Sequence, residues 1–210
     1  MVRQKAEWEG KVISIQPRIR LLRSFDERSH NYLGYSLRLN GSIGSEDQEF
    51  SVGIGPGAQK KHEFQVGTHA SGGAEPVGDP RMEPVEFYKA VRLRIIGLDP
   101  ETCPSPPPWH GIPPALEEYR ARGHRRLAAA TYSARCTSCI WGCKMAVEMI
   151  IDHWNPRVRR YRAETFCYGP KSCPSHKPGP TRKVPGRRGM SWEEEDWIDE
   201  EATAHRGFDD

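Results

Sequence analysis

The sequence has no apolar run approaching the roughly 20 residues of a membrane-spanning helix. Its opening residues, MVRQKAEWEG, carry none of the apolar stretch of a secretory signal. The expected address is therefore cytoplasmic, with no membrane partner and with thiols kept reduced. Also missing are a fixed-period repeat, a G-x-x-x-x-G-K-[ST] phosphate loop, an H-E-x-x-H helix and a G-x-S-x-G turn, so no reaction class is indicated and enzymatic activity is left open. Apolar residues are scarce, at 36%, which is low for a chain built around one extensive core. Charge of one sign is scarce too. A net charge of +3 and a pI near 8.5 stay below the value of about 9 that marks a nucleic-acid-binding domain by composition alone.

What the sequence does have is punctuation. Gly 20 and Pro 18 together exceed ordinary usage, so turns, loops and linkers take up much of the length. Between them, residues 6–98 read as short strands. Trp8 to Ile15 runs to a stop at Pro17. Leu33, Tyr35, Leu37 and Leu39 alternate with smaller or polar residues up to an Asn40-Gly41 turn. Phe50, Val52 and Ile54 alternate again, Phe64 and Val66 form a shorter piece, and Phe87 to Ile96 is the last. The string from Ser51 to Gly57 contains G-x-G and reads as a hairpin turn. The strand count, a G10-K-V-x-x-I start and an F64-x-V-G67 step resemble an OB-fold over roughly the first hundred residues. That resemblance implies a five-stranded barrel able to bind oligonucleotides or oligosaccharides.

A Pro-dense segment over 99–114 then divides the chain. Beyond it, 115–130 has helical composition, and Met145 to Trp154 is apolar around much of a helical circumference and ends at Asn155-Pro156. Tyr161 to Phe166 reads as a strand. Ser191 with Glu194 forms a capping-box pattern that starts a final acidic helix. The fold class expected is α+β: a small OB-like β-barrel over 1–98, a linker over 99–114, and a separate mixed helix/loop metal-binding module over 115–210.

The strongest signal is the spacing Cys136-x2-Cys139-x3-Cys143, followed by Cys167-x5-Cys173. A two-residue gap lets two thiolates point at one ion from a tight turn, and a distant pair completes the shell. Cys103 lies apart, in the Pro-dense segment. Zinc would take Cys136, Cys139, Cys167 and Cys173 and leave Cys143 over. A four-iron cluster would take Cys136, Cys139 and Cys143 with Cys173, whose Pro174 resembles the remote cysteine of ferredoxins. The spare thiol beside Ile140 and Trp141 favours the shielded iron–sulfur cluster over zinc. His153 and His176 are substitute ligands.

Around this module Arg157, Arg159, Arg160 and Arg162 interleave with Val158 and Tyr161, and Lys177, Arg182, Lys183, Arg187 and Arg188 follow in a Pro/Gly-rich loop. Basic residues interleaved with an aromatic on a loop suit phosphate-backbone contact. A solvated basic face neutralised by the acidic segment 193–201 would give the same pattern. Arg18, Arg20, Arg23 and Arg28 form a second basic group near His30 and Tyr32, and Glu201 and His205 stand one helical turn apart. The expectation is a metal-containing nucleic-acid-binding protein. An iron–sulfur redox protein or enzyme component and a protein-interaction or assembly factor are the alternatives.

Overall fold

A computed structural model describes residues 5–24, 28–99, 106–194 and 196–210. Strand β1 (Ala6–Arg23) runs antiparallel to β2 (Arg28–Ile43), and β2 pairs β3 (Glu46–Ile54). Helix α1 (Pro56–His62) leads to β4 (Thr68–Pro76) and β5 (Phe87–Leu98). Because β1 also pairs β4, and β3 touches β5 in parallel at Val52 and Phe87, these five strands close on themselves in the order β1-β2-β3-β5-β4. On these strands Val12, Leu37, Leu39, Phe50 and Val52 are each 1% exposed or less.

The second half adds to the same sheet. Helix α2 (Leu116–Arg122), the two-residue β6 (Arg125–Arg126) and α3 (Ala129–Thr131) precede β7 (Gly142–Ile150) and β8 (Arg159–Cys167). β7 lies parallel to the end of β1, with Arg20 to Arg23 opposite Ala146 to Met149, and β8 and β6 continue outward. A small hairpin, β9 (Arg182–Pro185) and β10 (Ser191–Glu194), and helix α4 (Trp197–Thr203) complete the chain.

The molecule is therefore mostly β, at 47% strand and 16% helix, built on one mixed sheet of eight strands. This corrects the expected α+β class with its separate helix/loop module. The physical cause is the stretch Met145–Ile150. A strand covered on both faces reads as a nearly continuous apolar run, and periodicity cannot separate it from a buried helix. One core joins the halves. Trp8, Ile15 and Tyr35 share it with Tyr119, Met145, Val147 and Tyr168, and Tyr35 Oη donates to Pro114 O at 2.7 Å.

Smaller expectations also change. β1 does not stop at Pro17, which lies opposite Tyr35 with register shifts on either side; bulges are where a sheet accommodates a residue without an N–H. Asn40-Gly41 is strand rather than turn. Gly41 faces Gly10, and a Cβ there would stand 2.2 Å from Glu9 O, so only glycine permits the approach. The reversal comes at Gly44, with φ +62°. The glycine string ending at Gly57 leads into α1, where Pro56 at the start and Lys60, Lys61 and His62 in the last turn suit a helix. Phe64 and Val66 are buried in a loop, not a strand. The helix expected over 115–130 shrinks to α2, closed by Gly123 at φ +68°, where a Cβ would meet Ala202 O at 2.1 Å. Ser191–Glu194 is a strand, because Lys183 faces Glu193 and Arg182 faces Glu194 across the hairpin, and opposite charges in register favour pairing. No helix among the described residues is long and apolar enough to cross a membrane.

Candidate metal centre and basic surface

The register of β7 on β8 decides which cysteines meet. Gly142 lies opposite Cys167, so the turn before β7 and the loop after β8 fall at the same end of the sheet. Cys136 closes a π-helical turn (Tyr132–Cys136), and Cys139 N donates to Cys136 O at 3.2 Å as the chain turns toward β7. Cys173 follows in the next loop, where its N–H reaches Pro170 O at 3.2 Å. Cys136, Cys139 and Cys167 pack with Leu127 in one small cluster, bordered by Trp109, Tyr132 and Trp141.

Electrostatics place Cys173 with them. Burial pushes the Cys136 thiol up to about 12, reinforced by the sulfurs of Cys139, Cys167 and Cys173. Burial likewise raises Cys139 to about 11, while the backbone N–H groups of Trp141, Trp109 and Gly142 pull it back. Cys167 is raised by burial and eased by the N–H of Gly169, which donates to its Sγ at 3.4 Å. Thiols that oppose each other's ionisation, while backbone amides aim at their sulfurs, have the electrostatics of a site completed by a cation. Among the described residues no three His, Cys, Asp or Glu side chains stand at ligating spacing. The four thiols are neighbours at one end of the sheet.

Cys143 is elsewhere. It is 0% exposed in the main core, and its Sγ donates to Pro17 O at 3.3 Å. Burial raises it, with no other thiol among the causes. Cys103 lies outside the described residues. His153 is exposed on the β7–β8 connection. His176 Nε2 lies 3.2 Å from Arg126 O, and burial with the nearby Arg125 lowers it to about 4.

Sequence reasoning missed the supports of this turn. Gln16 on β1 donates through Nε2 to Cys136 O at 2.7 Å and Cys139 O at 2.9 Å, and its Oε1 accepts from Tyr132 Oη at 2.6 Å. Ser14 Oγ donates to Thr137 O at 2.5 Å. A Cβ at Gly142 would stand 2.6 Å from Cys136 O and 2.7 Å from Gln16 Nε2. More than a hundred residues separate Gln16 from the cysteines, and no local pattern announces it.

The basic residues divide into neutralised and free. Arg182 is 9% exposed, donates to Glu164 at 2.6 Å and lies 4.2 Å from the Phe166 ring centroid. Arg162 donates to Glu164 at 2.5 Å, Lys183 pairs Glu193 at 3.1 Å, and Arg159 pairs Glu148. Arg187 stands 3.6 Å from Asp152 and lies over Trp154. Arg157, Arg160, Lys177 and Arg188 are exposed and without side-chain ion pairs among the described residues. The first-half group is neutralised as well: Arg18 and Arg20 approach Glu83, Arg23 pairs Glu164 and Glu194, and Arg28 pairs Glu194. His205 does not meet Glu201; its Nε2 lies 2.7 Å from Ala121 O. The outlier is Trp154, 81% exposed on the β7–β8 connection, with Arg187 5.1 Å from its ring centroid and Arg157 three residues on in the chain.

Comparison with protein-family models, with curated proteins and with solved structures finds no match to this chain.

Proposed function

We propose that this chain binds single-stranded nucleic acid through the β7–β8 connection and the β9–β10 hairpin, with Cys136, Cys139, Cys167 and Cys173 holding one structural metal ion. The observation that carries the reading is Trp154, an indole 81% exposed with Arg187 5.1 Å from its centroid and the exposed Arg157 three residues on in the chain. An exposed aromatic face offers a base a stacking platform, and free guanidinium groups meet the phosphates. Arg162, Arg182 and Lys183 serve differently: the Arg182–Glu164 ion pair and the Arg162 hydrogen bond to Lys183 O tie β8 to the hairpin that carries Arg187 and Arg188, and Lys183–Glu193 joins the hairpin's two strands.

The metal suited to this donor set is a single tetrathiolate ion, zinc above all. A cluster using Cys143 would need that sulfur to leave Pro17 O and the core. The ion's role is to fix the loop of Cys173, and so the start of the segment leading to Arg182.

The test is fluorescence anisotropy with a labelled single-stranded oligonucleotide across a salt series. Affinity should fall steeply with salt, and Trp154→Ala should cost about 1–3 kcal/mol of binding. Binding that ignores both salt and Trp154 would overturn the reading.

A further inference from the structure

A cleft of about 430 Å³ lies between the β1-β2-β3 surface and the Cys136 turn. Its floor is set by register. Ser14 lies opposite Arg38 and Arg38 opposite Ser51, with Ser36 also lining the cleft, so three adjacent strands present hydroxyls around one guanidinium. The π-helical turn supplies Tyr132 as a wall, and β7 supplies Lys144. No carboxylate lines it. Outside the lining, Glu49 Oε2 stands 3.8 Å from Arg38 Nε, Glu86 accepts from Ser51 Oγ at 2.8 Å, and Glu83 is engaged by Arg18 and Arg20.

Two features give the cleft its chemistry. The Arg38 side chain is 40% exposed and its Nε meets no hydrogen-bond acceptor among the described residues, so the guanidinium has donors left for a bound anion. Lys144 is exposed on the cleft's edge, without an ion pair among the described residues. Two cations and a ring of hydroxyls, with Pro17, Pro84 and Tyr132 as the apolar part of the wall, favour a charged, hydroxylated ligand over a lipophilic one. They suit an anion joined to a polyol, and the volume falls within the range of small-molecule sites, about 300–1,000 Å³.

We propose that this cleft binds a sugar phosphate, with Arg38 and Lys144 on the phosphoryl oxygens and the serine hydroxyls on the sugar. The phosphate is either free or part of a nucleotide strand. The cleft uses none of the residues of the Trp154 surface, so either site can fail without the other.

The experiment titrates ribose 5-phosphate, and ribose as control, into the metal-loaded full chain by calorimetry. Arg38→Gln, Lys144→Gln and Arg157→Gln are run beside it, with circular dichroism to confirm their fold. Ribose 5-phosphate should bind saturably and ribose should not. Each cleft variant should weaken binding about tenfold, the worth of one charge-assisted contact, and Arg157→Gln should leave it unchanged. Competition by a single-stranded oligonucleotide would identify a strand as the source, and its absence a free sugar phosphate; both support the site. No saturable binding of ribose 5-phosphate, or binding undiminished in both cleft variants, would overturn it.

Discussion

Arg23 on β1 donates through Nη1 to Glu194 Oε2 on β10 at 2.6 Å, and their side chains are only 3% and 6% exposed. The pair bridges the first strand and the last one. Burial alone would raise the Glu194 carboxyl, but Arg23 and Arg28 outweigh it and hold it below the ordinary value. Removing Glu194 leaves Arg23 with Glu164 alone, and removing Arg23 leaves Glu194 with Arg28 alone, each a buried charge short of a partner. Glu194→Gln and Arg23→Met should each cost about 3–5 kcal/mol in urea unfolding, far beyond an exposed pair such as Arg38–Glu49. Losses below 1 kcal/mol would mean that water reaches the pair.

Glu194 also shows where the sequence can and cannot be read. Ser191 and Glu194 have the pattern of a helix start, and nothing local reveals that Glu194 is claimed by an arginine 171 residues away. The alternation in Leu33–Leu39 and Phe50–Ile54 was legible because one face of each strand is buried and the other is not. Met145–Ile150 was illegible because both faces are covered. The cysteine spacing pointed to candidate ligands, while the separation of Cys143 from the other four depends on the Gly142–Cys167 register, which is a tertiary fact.

Metal content should follow that division. Metal analysis should find about one ion per chain in the native protein and in Cys143→Ser, and less in Cys136→Ser and Cys167→Ser. Cys143→Ser should lower stability by about 1–2 kcal/mol, since a buried thiol is exchanged for a hydroxyl that can still reach Pro17 O. Loss of metal from Cys143→Ser would refute the assignment.

Gly142→Ala tests the support behind the centre. The added methyl would press on Cys136 O and on Gln16 Nε2. Metal release to a competing chelator should speed up in Gly142→Ala and in Gln16→Ala. Outer-shell changes of this kind typically cost 10–100-fold in metal affinity.

Acid should loosen the fold through His30 and His124, whose ring centroids are 4.6 Å apart. Burial, then Arg28 and Arg23, lowers His30 from 6.5 to about 4, with Glu194 opposing. Burial, then His30 and Arg28, lowers His124 well below its usual value. Above pH 6.5 both folded and unfolded chains hold these rings neutral, and stability is independent of them. Below it the unfolded chain takes up protons that the fold refuses, so stability falls as pH drops from about 6.5 toward 4, by about 1.4 kcal/mol per pH unit for each histidine. His30→Asn should flatten this slope by one proton in denaturation series between pH 6.5 and 5. An unchanged slope would show that His30 protonates within the fold.

Salt dependence separates the free arginines from the neutralised ones. Arg157→Gln and Arg160→Gln should each reduce the salt slope of oligonucleotide binding by about one and weaken all sequences alike. Lys183→Gln, which breaks an exposed pair with Glu193, should leave the slope nearly unchanged.

The double use of β1 sets a timetable for synthesis. Its Arg20–Arg23 end takes β7 as a neighbour, yet β7 leaves the ribosome only after the five-strand ring and the Pro-dense segment have been made. Until then the nascent chain carries an uncovered strand edge beside the half-built core, the kind of surface that recruits other chains. Release of the chain before residue 150 should therefore yield aggregates rather than a smaller soluble protein, and the last strands act as the molecule's own protection against self-association.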